Sequence, residues 1–526
     1  MGQKREFAWW VGLLGMALAM LLAGCGETST PPAWVPPTAA GGVAVQAAAT
    51  ATRLPPMPPT WPPGVPRPTP TPDPPHPLPT LRAQAKLYTV QPGDTFGLLM
   101  RRFRVSEAAL RAANPQLADP NLLTVGMVLT IPAPDPVGQA PNFKIVPDSE
   151  LVYGPYAAGF DIAGFIQRQG GYLSRYREER YGRVWTGPEI VRYIALNNSV
   201  NPRLLLAILE YQSHWVTQAE PPAETLDYPL GLRDSNRKGL FRQLHWIANE
   251  LNRGYYLWLV NGLDALMLAD GRIALPNPQV NAGTAGVHHA LATLLPWPAW
   301  QRAVGPEGVF ATYQRLFGHP FDYAYEPLIP SGLTQPELQL PFEPGIWWYF
   351  TGGPHGGWDS GSAWAALDFA PSDIPPGCTI SGQWVTAVAD GLVVRAEDGV
   401  VVLDLDGDGW EQTGWVIFYL HISEQERTLP GLWLRAGDRI GHPSCEGGVS
   451  TGTHVHIARK YNGQWIEADG PVPFVMDGWR ARAGTRAYDG FLVRGNEWRE
   501  ACAGCRNANN RIRREPVIPP SPPPSP

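Results

Sequence analysis

The sequence predicts a multidomain α+β protein: a small βααβ module, a mostly helical middle domain and a mainly antiparallel β C-terminal domain. Three observations predict it. Residues 31–80 hold 18 prolines and only three charged residues, so they cannot bury a core and must separate folded parts from the N-terminus. Between 143 and 325, apolar residues recur at three- and four-residue spacing, the helical period. From Pro341 onward, short alternating or apolar runs are separated by glycine turns, as in strands. At 526 residues the chain has room for about three domains. An apolar fraction of 44% and 21 tryptophans supply their cores. The net charge of −6 and the lack of a basic stripe argue against nucleic acid as a partner.

Lys4 and Arg5 precede an apolar run from Phe7 to Leu22, and "LAGC" ends at Cys25. This is the layout of an export signal, too short for an ordinary spanning helix. The ending resembles the lipobox of bacterial lipoproteins. That resemblance implies that residues 1–25 are a signal peptide, that Cys25 is lipidated, and that the exported protein is membrane-anchored in the cell envelope. The alternative is a buried or membrane helix with an incidental cysteine. Residues 26–85 then read as a Pro-rich disordered linker, and residues 506–526 as a disordered tail. The remaining cysteines, Cys378, Cys445, Cys502 and Cys505, meet an oxidising compartment and are expected as disulfides, with all three pairings open.

Residues 86–133 form a compact unit. "LYTV" is a strand, and "PGDT" turns into a helix that Asp94 or Thr95 can cap. Ser106 caps a second helix and "MVLTIP" closes as a strand. "YTVQPGDT" with the later "NP…L..G..L.IP" resembles a LysM module. The resemblance implies a βααβ fold that binds peptidoglycan glycan between the loop Gly93, Asp94, Thr95, Phe96 and the loop near Asn121 and Leu122.

Residues 143–325 carry amphipathic helices, among them "NPRLLLAILEYQSHWV" and "LFRQLHWIANELNRGYYLWL". The first, with the later "GLFRQL", resembles the lysozyme-like fold of lytic transglycosylases. In that family a catalytic glutamate precedes a serine; here the position is Gln212. An amide cannot donate the proton that a glycosidic leaving group needs. Glu210 lies about 200° away around the helix, so the domain is expected to be inactive. His288 and His289 lack ligand spacing and read as structural.

The C-terminal unit, 341–500, holds five of the eleven histidines. His454 and His456 stand two apart in a strand and therefore share a face. Catalytic zinc takes three protein ligands from His and carboxylate and leaves a position open. "DLDGDG" supplies Asp404, Asp406 and Asp408, but the EF-hand's twelfth position would be Trp415, so a hairpin turn is expected. In order, "PHGGW…AALDFAP", "VTAVADGLV", "YLHIS" and "GGVSTGTHVHI" resemble the LytM/lysostaphin-type zinc peptidases, the M23 family. The resemblance implies that His355, Asp368 and His456 hold Zn2+, with His421 and His454 as catalytic groups beside the open position. His442 matches nothing in the pattern and is left structural. The family's usual spacing, a histidine, three residues and an aspartate, picks Asp359 instead. The apolar strand "WAALDF" favours Asp368, because a carboxylate there needs a cation. Asp359 falls in a glycine- and serine-rich stretch expected to be a mobile loop, with Trp358 or Trp364 contacting substrate.

Together these resemblances imply a peptidoglycan hydrolase that cuts peptide cross-bridges. The rival is a non-catalytic peptidoglycan-binding envelope protein that activates or scaffolds other wall hydrolases.

Overall fold

The structure, a computed structural model, describes residues 54–60, 73–117 and 123–516. The export signal, Cys25, Asn121 and Leu122 lie outside the described residues. No helix among the described residues is long and apolar enough to cross a membrane.

The small N-terminal module has the expected order: strand Lys86–Thr89, helices Phe96–Phe103 and Glu107–Ala112, and strand Val128–Ile131. The two strands pair antiparallel, Tyr88 facing Leu129. Thr95, rather than Asp94, caps the first helix by accepting from Leu98 N–H, and Ser106 caps the second through Ala109 N–H. Leu99, Leu110, Leu129 and Ile131 fill its core.

The middle region is built on four longer helices: Gly187–Asn198, Pro202–Ser213, Leu240–Leu259 and Ala282–Ala292. The first starts at a capping box of Thr186 and Glu189 with Pro188 in its opening turn, which satisfies otherwise unpaired N–H groups. Ser199 ends it in the left-handed conformation, and His214 ends the second in the same way. Residues 73–76, expected in the linker, instead lie on this region. Asp73 and His76 donate backbone N–H to Gln279 and Pro278, and the His76 ring stacks on Trp258 at 4.3 Å. One aromatic contact and an Asp73–Lys144 pair hold proline-rich chain that composition alone leaves free.

The C-terminal unit is a nine-stranded antiparallel sheet among the described residues. Its central strands, in spatial order, are Gly391–Glu397, Val400–Asp404, Trp415–Leu420, Val455–Tyr461, Ala366–Pro371 and Trp347–His355. The edge strand Arg511–Arg513 pairs with Trp347–His355 and buries Ile512. The unit therefore runs past residue 500 into what composition marked as a disordered tail. Charged arginines at an edge strand, stacked over Trp347, mask its strand character. The disulfides are Cys378–Cys445 and Cys502–Cys505.

Both faces of the sheet are covered. Val401, Leu403, Ile417 and Tyr419 belong to the unit's own core. Val400, Val402, Val416 and Phe418, one residue out of phase, join the core of the helical region. This explains the uninterrupted apolar text of "VVVLD" and "WVIFYL", since a strand buried on both sides loses its polar alternation. Where the two regions meet, Glu411 accepts from Arg395 at 2.9 and 3.1 Å and from Lys460 at 3.0 Å, while Arg395 also reaches Asn197 of the helical region.

Burial alone would raise the Glu411 pKa, but the Arg395 and Lys460 charges pull it down to about 2 from 4.5. A depressed carboxylate contributes stability that is complete above its unfolded pKa and lost as pH falls through the folded one. Its contribution therefore fades between pH 4.5 and about 2. Glu411→Ala strands two buried cations and is expected to lower unfolding stability by roughly 3–5 kcal/mol at neutral pH, read by urea denaturation.

Candidate metal centre

Strand register assembles the site. His456 on Val455–Tyr461 lies directly opposite Asp368 on Ala366–Pro371, and Asp368 in turn faces Gly352 on Trp347–His355. That last strand slips register twice, between Phe350 and Gly352 and between Gly352 and His355, and ends with His355 opposite Ala366. Such irregularities re-aim a side chain. Gly352 is required there, because a Cβ would collide with the Asp368 carboxylate. His421 follows the end of Trp415–Leu420 at φ +65°.

The potential ligand atoms of His355, Asp368 and His456 all lie within 4.8 Å of one another, and all three residues are buried. His355 Nε2 is 3.3 Å and His456 Nδ1 is 3.2 Å from Asp368 Oδ1, and the two nitrogens are 3.0 Å apart. Backbone carbonyls fix the outward nitrogens. His355 Nδ1–H donates to Gly353 at 2.8 Å and His456 Nε2–H to Gly357 at 3.0 Å. A carbonyl can only accept, so in the neutral rings the inward nitrogens carry lone pairs. Asp368 Oδ1, buried, has no well-formed hydrogen bond. Two lone pairs and a carboxylate oxygen converging in a buried space repel one another unless a proton or a metal cation sits among them. The donor set fits zinc, which takes imidazole and carboxylate ligands and whose histidines characteristically donate their other N–H to a carbonyl.

The two further histidines stand beside this group and are held in the same way, each through Nδ1 by a backbone carbonyl. His421 Nδ1–H donates to Glu446 O at 2.8 Å, and His454 Nδ1–H to Gly452 O at 2.7 Å. Their rings are 4.5 Å apart, and His454 Nε2 is 3.6 Å from Asp368 Oδ1. Burial, then the neighbouring His454 and His456, push the His421 pKa down to about 3, so this ring is neutral at ordinary pH. Tyr488 stacks on His355 at 4.1 Å. Nothing in "TRAYDGF" marks it from sequence; only the turn between the strands Trp479–Ala483 and Gly490–Arg494 brings it there.

Several expectations are corrected. The loop of Asp359 is pinned rather than mobile, because its carboxylate pairs with His245 of the Leu240–Leu259 helix at 3.2 Å. Trp358 is buried against Tyr193 and Phe418 and offers no ring to a substrate, whereas Trp364 is half-buried. Phe96 is core in the small module; its position on the inner face of the first helix removes it from the glycan surface. Gly93 and Thr95 are exposed in the turn, and Asp94 is held there by Tyr88 O–H and Gln91 N–H.

Among the other residues singled out by the sequence, Asp404, Asp406 and Asp408 bring carboxylate oxygens within 4.8 Å of one another. Asp404 ends a strand, and its carboxylate accepts from the N–H groups of Asp406, Gly407 and Gly409, shaping the turn that leads to Trp415–Leu420. His442 lies against Trp384 and bonds Gln383 O, away from the cluster. Glu210 is 1% exposed, and its carboxylate accepts from Val216 and Thr217 N–H, the Thr217 hydroxyl and Arg315. These bonds tie it to the segment just after its helix and to Arg315. His288 is buried beside Trp300, and His289 pairs with Glu250.

Residues 144–330 match the family model described as LasA, N-terminal domain, and residues 88–132 match the LysM domain. Protease LasA of Pseudomonas aeruginosa (strain UCBPP-PA14) is 28% identical over 375 residues, covering 67% of this chain and 81% of that protein. The beta-lytic metalloendopeptidase of Lysobacter enzymogenes is 27% identical over 162 residues, covering 30% of this chain and 85% of that one. A solved structure described as a novel M23 metalloprotease, pseudoalterin, from deep-sea is 23% identical and covers 32% of this chain and 96% of that chain, with a TM-score of 0.26. The chain thus carries a LysM domain and is homologous to LasA-like peptidases. The lysozyme-like resemblance of the middle region rests on its own sequence segment, and the family model matched there is the LasA one.

Proposed function

We propose that this chain is a zinc metalloendopeptidase of the M23 type that cuts peptide cross-bridges of peptidoglycan in the cell envelope. In this reading a lipid on Cys25 holds it to a membrane, and the LysM domain binds glycan through Gly93, Asp94 and Thr95 together with the loop of Asn121 and Leu122. The observation that carries the enzymatic reading is the buried convergence of His355, Asp368 and His456, with two more histidines beside it that are each held through Nδ1 by a backbone carbonyl.

Zinc held there supplies a Lewis acid that polarises a carbonyl and acidifies water. The chain's own residues do the rest. Gly353 and Gly357 keep the ligand rings turned inward. His421 and His454 present Nε2 lone pairs toward the same space, so one can take a proton from the attacking water and return it to the leaving amine. The other, when it has taken up a proton from solvent at Nε2, donates to the developing oxyanion. The completeness of this set separates the reading from that of a non-catalytic scaffold, which has no use for two oriented proton acceptors.

The full chain is expected to bind one equivalent of zinc and to solubilise purified peptidoglycan. Removing the metal with a chelator abolishes solubilisation, and adding zinc back restores it. A chain that binds zinc yet leaves peptidoglycan intact would select the scaffold.

A further inference from the structure

The helix Leu240–Leu259 belongs to the middle region, yet one of its faces meets the loop that follows His355. His245, Asn249 and Arg253 are spaced by four and so share that face. They hold three consecutive loop residues. His245 Nε2 is 3.2 Å from the Asp359 carboxylate, Arg253 donates to the Ser360 hydroxyl at 2.9 Å, and Asn249 Oδ1 accepts from Gly361 N–H at 2.6 Å. The last contact is buried, and it is close: a Cβ on Gly361 would collide with the Asn249 backbone carbonyl.

From these anchors the loop is tied back to the site. Ser362 Oγ donates to Asp359 O and accepts from Trp358 N–H, and Gly357 N–H donates to Ala363 O at 3.0 Å. Trp358 is wedged between Tyr193 of the helical region and Phe418 of the sheet. The chain between these points, "GGWDSGS", has no regular structure of its own and is rich in glycine and serine. What it carries is the Gly357 carbonyl that fixes the His456 ring.

We propose that His245, Asn249 and Arg253 are positioning residues for the metal site: the helix clamps the 359–361 loop and thereby holds the Gly357 carbonyl that orients His456. The middle region is then a working part of the metal centre. This rests on the reading of His355, Asp368 and His456 as zinc ligands. Groups that orient a ligand characteristically change metal affinity by about 10- to 100-fold when removed.

The test measures zinc affinity of the full chain by competition with a chromophoric chelator, alongside the melting temperature of the metal-free protein. Asn249→Leu, which removes the acceptor at similar size, is expected to bind zinc about 10-fold more weakly or worse. Asn249→Asp keeps an acceptor oxygen and is expected to restore most of that affinity. The double variant His245→Ala/Arg253→Ala repeats the test at partly exposed side chains and is also expected to weaken binding. Tyr255→Phe, on the same helix, removes a bond to Gln464 instead of the loop and is expected to leave zinc affinity unchanged.

Wild-type zinc affinity in both Asn249→Leu and the double variant, with only the melting temperature lowered, overturns the proposal and leaves the metal site standing. A wild-type chain that takes up no zinc overturns the metal reading, and this proposal with it.

Discussion

His456→Ala loses zinc and peptidoglycan digestion together, whereas His454→Ala keeps one zinc and loses turnover by about 10²- to 10⁴-fold, the usual worth of a general acid or base. His456 lies on the strand Val455–Tyr461 and His454 just before it begins, and the two differ in how close they come to the ligand atoms. His456 Nδ1 lies among the ligand atoms of His355 and Asp368, and its far nitrogen is committed to Gly357. His454 Nε2 is farther from the Asp368 carboxylate, at 3.6 Å, and its ring packs beside His421. Metal content and initial rate, measured on the same preparations, separate the roles. Equal metal loss in both variants would contradict them.

Asp368→Ala is expected to abolish zinc binding, while Asp359→Ala still takes up one zinc. The Asp368 carboxylate is buried, and it stands opposite His456 in the sheet, so removing it leaves two imidazoles and no neutralising charge. Burial would raise its pKa, but the positive charge that His355 carries when protonated, and then that of His454, hold it well below the carboxylate range. It therefore meets a cation already ionised. Asp359 faces His245 on the surface of the helical region. Its removal frees the loop from His245 and so weakens zinc affinity, as the His245 variant does, but takes away none of the three ligands. The opposite result, metal lost with Asp359 and kept with Asp368, would reassign the ligand.

The choice between these aspartates shows how far the sequence could be read. Histidine spacing on a strand was enough to place His454 and His456 on one face, and apolar context was enough to favour Asp368. The contact between Asp368 and His456 is a matter of strand register, which pairs residues nearly 90 positions apart and leaves no local trace. The pinning of Asp359 was hidden for the same reason: a glycine- and serine-rich text reads as mobile until a distant helix supplies partners. Trp358 and Phe96 belong to the cores instead, because an aromatic beside a functional motif serves equally as core. The strands Val400–Asp404 and Trp415–Leu420 were legible, but not that their second face is covered by helices; their continuous apolar text carried that signal. The tail strand Arg511–Arg513 was obscured by its charges. Gly353 and Gly357 act through carbonyls, which every residue has, so no residue type announces them.

The most direct test of the central claim is mass spectrometry of the fragments that the zinc-loaded full chain releases from purified peptidoglycan. The account predicts new peptide amino and carboxyl ends on otherwise intact glycan, and no such fragments from His421→Ala or His454→Ala. Fragments with new sugar ends and uncut cross-bridges, released as well by those two variants, would contradict it.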